Sequence, residues 1–173
     1  MRQRGFTLME MLLVIAIIGA FVYFMFNLFG ESRDSASAIR TANRVANIIA
    51  DTTDLLAGQG DTIACVTATV ISNQAIPDDM VSGTAITNAY GGDVTLASGA
   101  VAGGSANACV LTFEDVPQDD CSRIVRRTEQ LADRISVEGT NVKTIAVDLD
   151  IARLGRQCSS ANQVDLVWTY RVL

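Results

Sequence analysis

The pattern of hydrophobic positions begins with a long apolar stretch close to the N-terminus. Sixteen consecutive apolar residues run from Met11 to Phe26, and the 25 residues from Phe6 to Gly30 contain one charged side chain, Glu10. About 20 helical residues cross a hydrocarbon layer of ~30 Å. Arg2 and Arg4 precede the stretch, and the positive-inside rule places such an end in the cytoplasm. Residues 6–30 are therefore predicted to form a transmembrane helix.

The next stretch, residues 31–57, keeps the helical period but changes character. Apolar residues recur at three- and four-residue spacing at Ala42, Val45, Ile49 and Leu56, with Thr52 in the remaining turn. A polar stripe on roughly the opposite face holds Arg33, Arg40, Arg44, Asn47, Asp51 and Asp54. No proline interrupts residues 6–57, and Gly58-Gln59-Gly60 is a stop signal. The pattern predicts one helix over 6–57, apolar on all sides over 6–30 and amphipathic over 31–57.

Two glycines lie inside this helix, Gly19 and Gly30. Each costs up to ~1 kcal/mol of helix propensity relative to alanine. These glycines either let the helix unwind locally or allow close packing between helices. The sequence favours neither interpretation over the other.

Residues 58–173 contain short hydrophobic segments with helix or strand periodicity, separated by turns. This pattern predicts a globular α+β head. Residues 63–72 suit a short helix or a strand, and residues 76–83 and 88–92 have turn chemistry. Pro117 opens a predicted helix to Arg134. Strands are predicted at Val94–Ala97, Cys109–Phe113, Ile135–Val137, Thr144–Leu149 and Val164–Val172. The alternation of the last one suits a central or core-facing strand.

Charge and composition narrow the function classes. The chain has 13 basic and 19 acidic residues, and it has no histidine. The acidic balance disfavours nucleic acid as a partner, and the absence of histidine removes Ser–His and Cys–His nucleophiles and most zinc sites. Arg123, Arg126 and Arg127 are read as a solvated helix face, and the carboxylate pairs at 78–79 and 119–120 as turn and helix-start residues. We predict no catalytic residue, no cofactor and no metal site.

Four cysteines, Cys65, Cys109, Cys121 and Cys158, all follow the apolar stretch, and none forms a CxxC pair. Widely spaced cysteines behind an export signal indicate two disulfides made in an oxidising compartment. Three connectivities are possible from the sequence.

The residues before the apolar stretch carry the most specific motif. A short basic leader ends in Gly5, and Phe6-Thr7-Leu8-Met9-Glu10 follows. This motif resembles the processing site of type IV prepilins. Two other readings are a secretory signal cut after Ala36-Ser37-Ala38 and a simple membrane anchor. Both leave the carboxylate of Glu10 unexplained, which is costly in an apolar environment unless it is paired.

The resemblance implies a leader of residues 1–5, cleavage between Gly5 and Phe6, and N-methylation of Phe6. It also implies an assembly role for Glu10, whose carboxylate would pair with the new N-terminal amine within one subunit or across two. Implied partners are a prepilin peptidase, an inner-membrane platform with an assembly ATPase, and further copies of the chain in a helical filament.

The head also resembles a pilin. The segments IPDDMVSG and ITNAYGGDVTL, the proline-led helix with Cys121, and Cys158 before VDLVWTYR look like class b type IV pilins of the PilS type. The resemblance implies that Cys121 pairs with Cys158, and with it that Cys65 pairs with Cys109. The five-residue leader and the initial Phe6 differ from class b and are class a habits.

The expected fold is therefore a long N-terminal helix packed on an antiparallel sheet. The expected function is that of a structural pilin, held in the inner membrane before assembly and then part of an extracellular pilus for adhesion, aggregation, mating contact or motility. The alternatives are a type II secretion pseudopilin or minor pilin and, less favoured by the acidic charge, a DNA-uptake pilin.

Overall fold

A computed structural model of the chain describes residues 8–57, 65–101 and 107–172, the side chains of residues 8 and 26–35 excepted. Two compact units divide the chain, Met1–Ala36 and Ser37–Leu173. The leader at 1–5 and the Gly58-Gln59-Gly60 stop lie outside the described residues.

Helix α1 spans Leu8–Leu56, 49 residues, and contributes to both units. The sequence predicted one uninterrupted helix over 6–57, and its C-terminal end agrees to within one residue, while residues 6 and 7 lie outside the described residues. Within the described part of the chain, no helix satisfies both the length and the hydropathy needed to cross a membrane.

In the second unit, α1 buries one stripe and exposes the other. Its buried positions recur at three- and four-residue spacing, at Ala38, Thr41, Ala42, Val45, Ile48, Ile49, Thr52 and Leu56. The predicted apolar stripe is therefore confirmed. Along the opposite stripe, Arg40, Asn47, Asp51 and Asp54 are exposed and Arg44 is half-buried. The helical period of the sequence places the apolar side chains on one face of α1. Burial of this face against the head stabilises the helix.

A five-stranded antiparallel sheet forms the centre of the second unit, in the order β3-β4-β7-β5-β6. The strands are β3 (Val94–Gly99), β4 (Ala108–Pro117), β5 (Arg134–Val137), β6 (Thr140–Lys143) and β7 (Gln163–Arg171). The alternation of VDLVWTYR predicted a central or core-facing strand, and β7 lies in the middle of the sheet, where it pairs with β4 and β5. A separate two-stranded ribbon joins β1 (Val81–Ser82) and β2 (Ala85–Ile86).

The core lies between this sheet and the helices. Trp168 on β7 is fully buried, and its ring meets the edge of Phe113 on β4 at a centroid distance of 5.6 Å. The indole Nε1 donates a 2.9 Å hydrogen bond to Thr128 Oγ1 at the end of α3, Gln118–Thr128. The polar atom of the largest core residue is thereby satisfied.

Several predicted elements are corrected. The helix expected to reach Arg134 ends at Thr128, and a 3-10 turn continues to Leu131, because the chain must straighten for β5 to pair with β7. The strand predicted at Thr144–Leu149 is absent. These residues form a turn closed by a bridge between Thr144 and Val147.

A strand does form next to this turn, but it is β6, which ends directly before it. The helix α4, Ile151–Cys158, was not predicted. The open choice at residues 63–72 resolves to helix α2, Thr67–Ser72. The predicted loop at 76–83 contains a 3-10 turn, Asp78–Met80, and ends in β1.

Candidate assembly site

Glu10 lies in the first turn of α1, and its side chain is exposed. A carboxylate in the first turn is favourable, because the unsatisfied backbone N–H groups there form the positive end of the helix dipole. Gly5 and Phe6 lie outside the described residues, so the cleavage site and the pairing of Glu10 with an N-terminal amine stay predictions.

The first unit presents an apolar surface on every side of α1. Thirteen large hydrophobic side chains between Met9 and Met25 are exposed, with exposed fractions from 37% at Met25 to 82% at Met9. A soluble monomer rarely leaves so large an apolar patch uncovered, so such a surface marks a site of association.

The helix is continuous through both glycines singled out in the sequence. A Cβ built on Gly19 would have no neighbour within 4 Å, and the backbone of Gly30 is helical. Local unwinding at Gly19 or Gly30 is therefore not a property of this conformation, and it stays a prediction for the assembled filament.

A partly buried polar cluster, centred on the buried Asp120, ties the start of the second unit's α1 segment to the head. Ser37 Oγ and Tyr90 Oη both donate to Asp120 Oδ2, at 2.5 and 2.6 Å, and Thr41 Oγ1 donates to Tyr90 Oη at 3.3 Å. Asp120 is 4% exposed, and its Oδ1 has no hydrogen-bond partner among the described residues. Burial, together with the hydrogen bond to Asp120, raises the pKa of Tyr90 to about 12. The cluster therefore joins three elements: α1, the 88–92 turn and α3.

A second tie lies four turns further along α1. Thr52 Oγ1 and Tyr170 Oη are 2.6 Å apart, and the Thr52 hydroxyl also lies 2.6 Å from the Ile48 carbonyl oxygen. Burial raises the pKa of Tyr170 to about 12. At the surface, Arg44 forms an ion pair with Asp79, which holds the 78–80 turn against α1.

Two disulfides close the head. Cys65 is bonded to Cys109 on β4, and Cys121 on α3 is bonded to Cys158 at the end of α4. These are the pairings that the resemblance implies. The second bond joins α3 to α4 across a sequence separation of 37 residues.

Comparison with protein families decides the identity. The family model described as PilS N terminal matches residues 35–171, which is most of the chain. The chain belongs to the PilS family. A second model, the prokaryotic N-terminal methylation motif, matches residues 1–22. No curated protein matches the pilin in a sequence comparison.

Solved structures show the same fold. The type IV b pilin from Salmonella typhi is 20% identical, with a TM-score of 0.62, and the match covers 76% of this chain and 98% of that one. TcpA, a type IV pilin from the Vibrio cholerae El Tor biotype, is 14% identical, with a TM-score of 0.58, over 78% and 98% of the two chains. The chain therefore has the α+β fold of these pilins. As a member of the PilS family it is a type IV pilin, a structural subunit and not an enzyme.

Sequence reasoning missed the Ser37–Tyr90–Asp120 cluster of the pilin head. Asp120 was read with Asp119 as a helix-start residue, and Tyr90 as part of a turn. One signal was available, because Asp120 lies on the same helical face as Ile124 and next to Cys121, and all three are buried. A carboxylate on the buried face of an amphipathic helix requires partners. Arg123, Arg126 and Arg127 are exposed, as the solvated-face reading expected.

Proposed function

We propose that this pilin is the repeating subunit of an extracellular type IV pilus, and that its activity is polymerisation with copies of itself. The observation that carries the proposal is the exposed apolar surface of α1 between Met9 and Met25. Side chains of this kind are unfavourable in water by ~25 cal/mol per Å² of apolar surface. A bundle of α1 helices from many subunits would cover them.

Before assembly, the same surface requires lipid. The uncharged run from Met11 to Gly30 and the basic Arg2 and Arg4 before it support residence in the inner membrane with the N-terminus in the cytoplasm. A platform protein and a cytoplasmic ATPase would then extract the subunit, since moving this surface out of lipid requires work.

Glu10 is the proposed assembly residue. Cleavage after Gly5 by a prepilin peptidase and N-methylation of Phe6 would leave an amine four residues before the Glu10 carboxylate. In an apolar bundle this carboxylate is stable only if it is paired, so the amine of a neighbouring subunit would fix the axial offset of the incoming copy. The match of residues 1–22 to the methylation motif supports this processing.

An ordinary signal peptidase cut after Ala38 fits the head less well. Such a cut would remove Ser37, which donates to the buried Asp120 carboxylate, and Ala38, which is fully buried. The contacts of the head therefore favour a subunit that keeps α1 intact.

The test compares wild type with Glu10→Ala in cells that carry the assembly system, with Asp54→Ala on the exposed stripe of α1 as a matched control. Mass spectrometry determines the N-terminus of the processed chain, and electron microscopy of sheared surface material determines whether filaments form. We expect a chain that starts at N-methylated Phe6 in all three strains, and filaments in wild type and Asp54→Ala only.

An N-terminus at Ile39 in the wild type would overturn the proposal. The sheared fraction also separates a major subunit from a minor pilin or a secretion pseudopilin, because a major subunit is its principal polypeptide.

A further inference from the structure

Helix α3 carries an exposed basic face. Arg123, Arg126 and Arg127 are exposed and occur at helical spacing, on the side opposite the buried Cys121 and Ile124. The side chain of Arg126 makes a bond within its own helix, from Nε to the Ser122 carbonyl oxygen at 3.2 Å. Among the described residues, no ion pair involves Arg126 or Arg127.

This basic face stands out against the charge of the chain. Helices α3 and α4 contain five arginines and two acidic residues, Asp119 and Asp120, which gives +3. The whole chain carries −6, so the remainder carries −9. The head is therefore polarised, with its positive charge concentrated on two helices that the Cys121–Cys158 bond holds together.

A groove of opposite character lies between α1 and the segment before the 78–80 turn. It is a cavity of about 290 Å³ lined by Asn47, Asp51, Gln74, Ile76, Pro77 and Asp78. Asp51 and Asp78 are exposed, and within the described ranges neither forms an ion pair. Carboxylate and amide oxygens suit the planar guanidinium group of arginine, and apolar side chains suit its aliphatic stem.

We infer that Arg126 and Arg127 on α3 of one subunit dock in the Asp51–Asp78 groove of a second copy of this chain. The inference rests on the proposed polymerisation, and it adds a specific contact between the heads of neighbouring subunits in the filament. Two different complementary patches on one chain make a heterologous interface, and a heterologous interface that does not close into a ring builds an open helical filament.

A second copy fits these observations better than an external polyanion. Processed subunits, which have lost Arg2 and Arg4, carry 11 basic and 19 acidic residues, a side-chain charge of −8. Such subunits repel one another when their heads lie within a Debye length of ~8 Å, unless unlike charges face each other at the contact. Docking α3 in the groove supplies that arrangement. A polyanion would occupy the arginines and leave the acidic groove without a partner.

The experiment is a charge swap in the full-length chain. Arg126→Glu with Arg127→Glu reverses the helix face, Asp51→Arg with Asp78→Arg reverses the groove, and a fourth strain combines all four changes. Asp54→Arg, one helical turn beyond Asp51 and outside the groove, is the matched control. Processing at Phe6 and oxidation of both disulfides, measured by mass spectrometry, show that each variant is exported and folded.

We expect each reversal to lower the yield of sheared filaments at least ten-fold, the combined strain to recover at least half of the wild-type yield, and Asp54→Arg to assemble normally. Normal assembly of either reversal, or no recovery in the combined strain while wild type makes filaments, overturns the inference and leaves polymerisation standing. A wild type without filaments overturns both. As a second measurement, Arg127→Cys with Asp78→Cys in one chain should give an oxidised ladder of subunits joined between positions 78 and 127, and filaments without that crosslink count against the contact.

Discussion

The phenol of Tyr90 donates a 2.6 Å hydrogen bond to the buried carboxylate of Asp120, and the Ser37 hydroxyl of α1 donates to the same oxygen. A single atom, Asp120 Oδ2, therefore holds together the long helix, a surface turn and helix α3. The other oxygen is buried without a partner among the described residues. This acceptor therefore adds a polar tie to the apolar burial that holds α1 on the head.

Removing that acceptor should weaken the head. Asp120→Ala leaves the hydroxyls of Ser37 and Tyr90 without their buried acceptor, and each unsatisfied group costs ~1–3 kcal/mol. Asp120→Asn keeps an oxygen for both donors and should cost less, and Asp119→Ala, at the exposed neighbouring position, should have little effect. Urea unfolding of the full-length subunit in detergent, followed by fluorescence of Trp168, the single tryptophan, measures all three. Equal losses for Asp120→Ala and Asp119→Ala would contradict the role of the cluster.

The buried phenol of Tyr170 and the half-buried phenol of Tyr90 predict a loss of stability in alkali. Burial raises the pKa values of Tyr90 and Tyr170 from 10.0 to about 12. Between these values the unfolded chain releases protons that the folded chain retains, so this contribution is complete below pH 10 and is lost as the pH rises to about 12. For Tyr170, which is 2% exposed, the slope is at most ~1.4 kcal/mol per pH unit. It should be smaller for the half-buried Tyr90 because solvent screens it.

Tyr170→Phe is the variant that tests this dependence. It lowers stability at neutral pH by removing the contact with Thr52, but its free energy of unfolding should fall less steeply above pH 10 than that of wild type. Parallel curves for the two proteins in short incubations would show that Tyr170 does not cause the alkaline loss.

Helix α1 could be predicted because its period is sustained over many turns. Positions 42, 45, 49, 52 and 56 are all buried, as their spacing indicated. The strand β7 was equally clear, because its alternation places Val164, Leu166, Trp168 and Tyr170 on one buried face. Long, regular patterns of this kind average over single exceptions.

The region from residue 128 to 158 could not be assigned in the same way. Its elements are three to eight residues long, and Ile145 and Val147, which suggested a strand, are exposed in a turn. Lys143 donates to the carbonyl oxygens of Glu129 and Ala132, a long-range interaction that closes the end of α3 and leaves no local trace in the sequence. The start of α4 did carry a signal, because Asp150 accepts from the backbone N–H of Arg153 as an N-cap residue.

The contact between Thr52 and Tyr170 offers a sharp test of the second tie between α1 and the sheet. Thr52→Val keeps the shape of the side chain and removes the hydroxyl, so the buried Tyr170 hydroxyl loses its partner at a cost of ~1–3 kcal/mol. Thr53→Val is the control, since Thr53 is half-buried and, in the described part of the chain, its hydroxyl donates within its own helix, to the Ile49 carbonyl oxygen. In chemical unfolding, the free energy of unfolding of Thr52→Val should be well below that of Thr53→Val. The reverse order would refute the tie.

Gly92 is required by a close approach of two backbone segments. A Cβ at this residue would lie 2.0 Å from the carbonyl oxygen of Glu114, which also accepts from Asn88 Nδ2 at 2.6 Å. Gly92→Ala should therefore force the 88–92 turn away from β4 and cost on the order of 1–3 kcal/mol or more. Gly155→Ala should instead raise the stability of the head. A Cβ at residue 155 of α4 meets open space, and alanine favours a helix by ~1 kcal/mol relative to glycine. Thermal unfolding of both variants, measured side by side, should shift in opposite directions, and a shift of the same sign would contradict the argument.

The two disulfides should contribute similar amounts by constraining the unfolded chain. Cys65–Cys109 and Cys121–Cys158 close segments of 44 and 37 residues, each worth ~4 kcal/mol in the chain-entropy model. Removal of the two bonds should affect the folded head differently. Cys121–Cys158 joins α3 to α4 and lies next to Asp120, so its removal should also loosen these two helices. Cys121→Ser with Cys158→Ser should therefore unfold at lower urea than Cys65→Ser with Cys109→Ser, and should also lose filaments if the arginine face of α3 makes the contact between subunits. Filaments at wild-type yield from the Cys121→Ser, Cys158→Ser strain would show that the position of α3 does not depend on that bond.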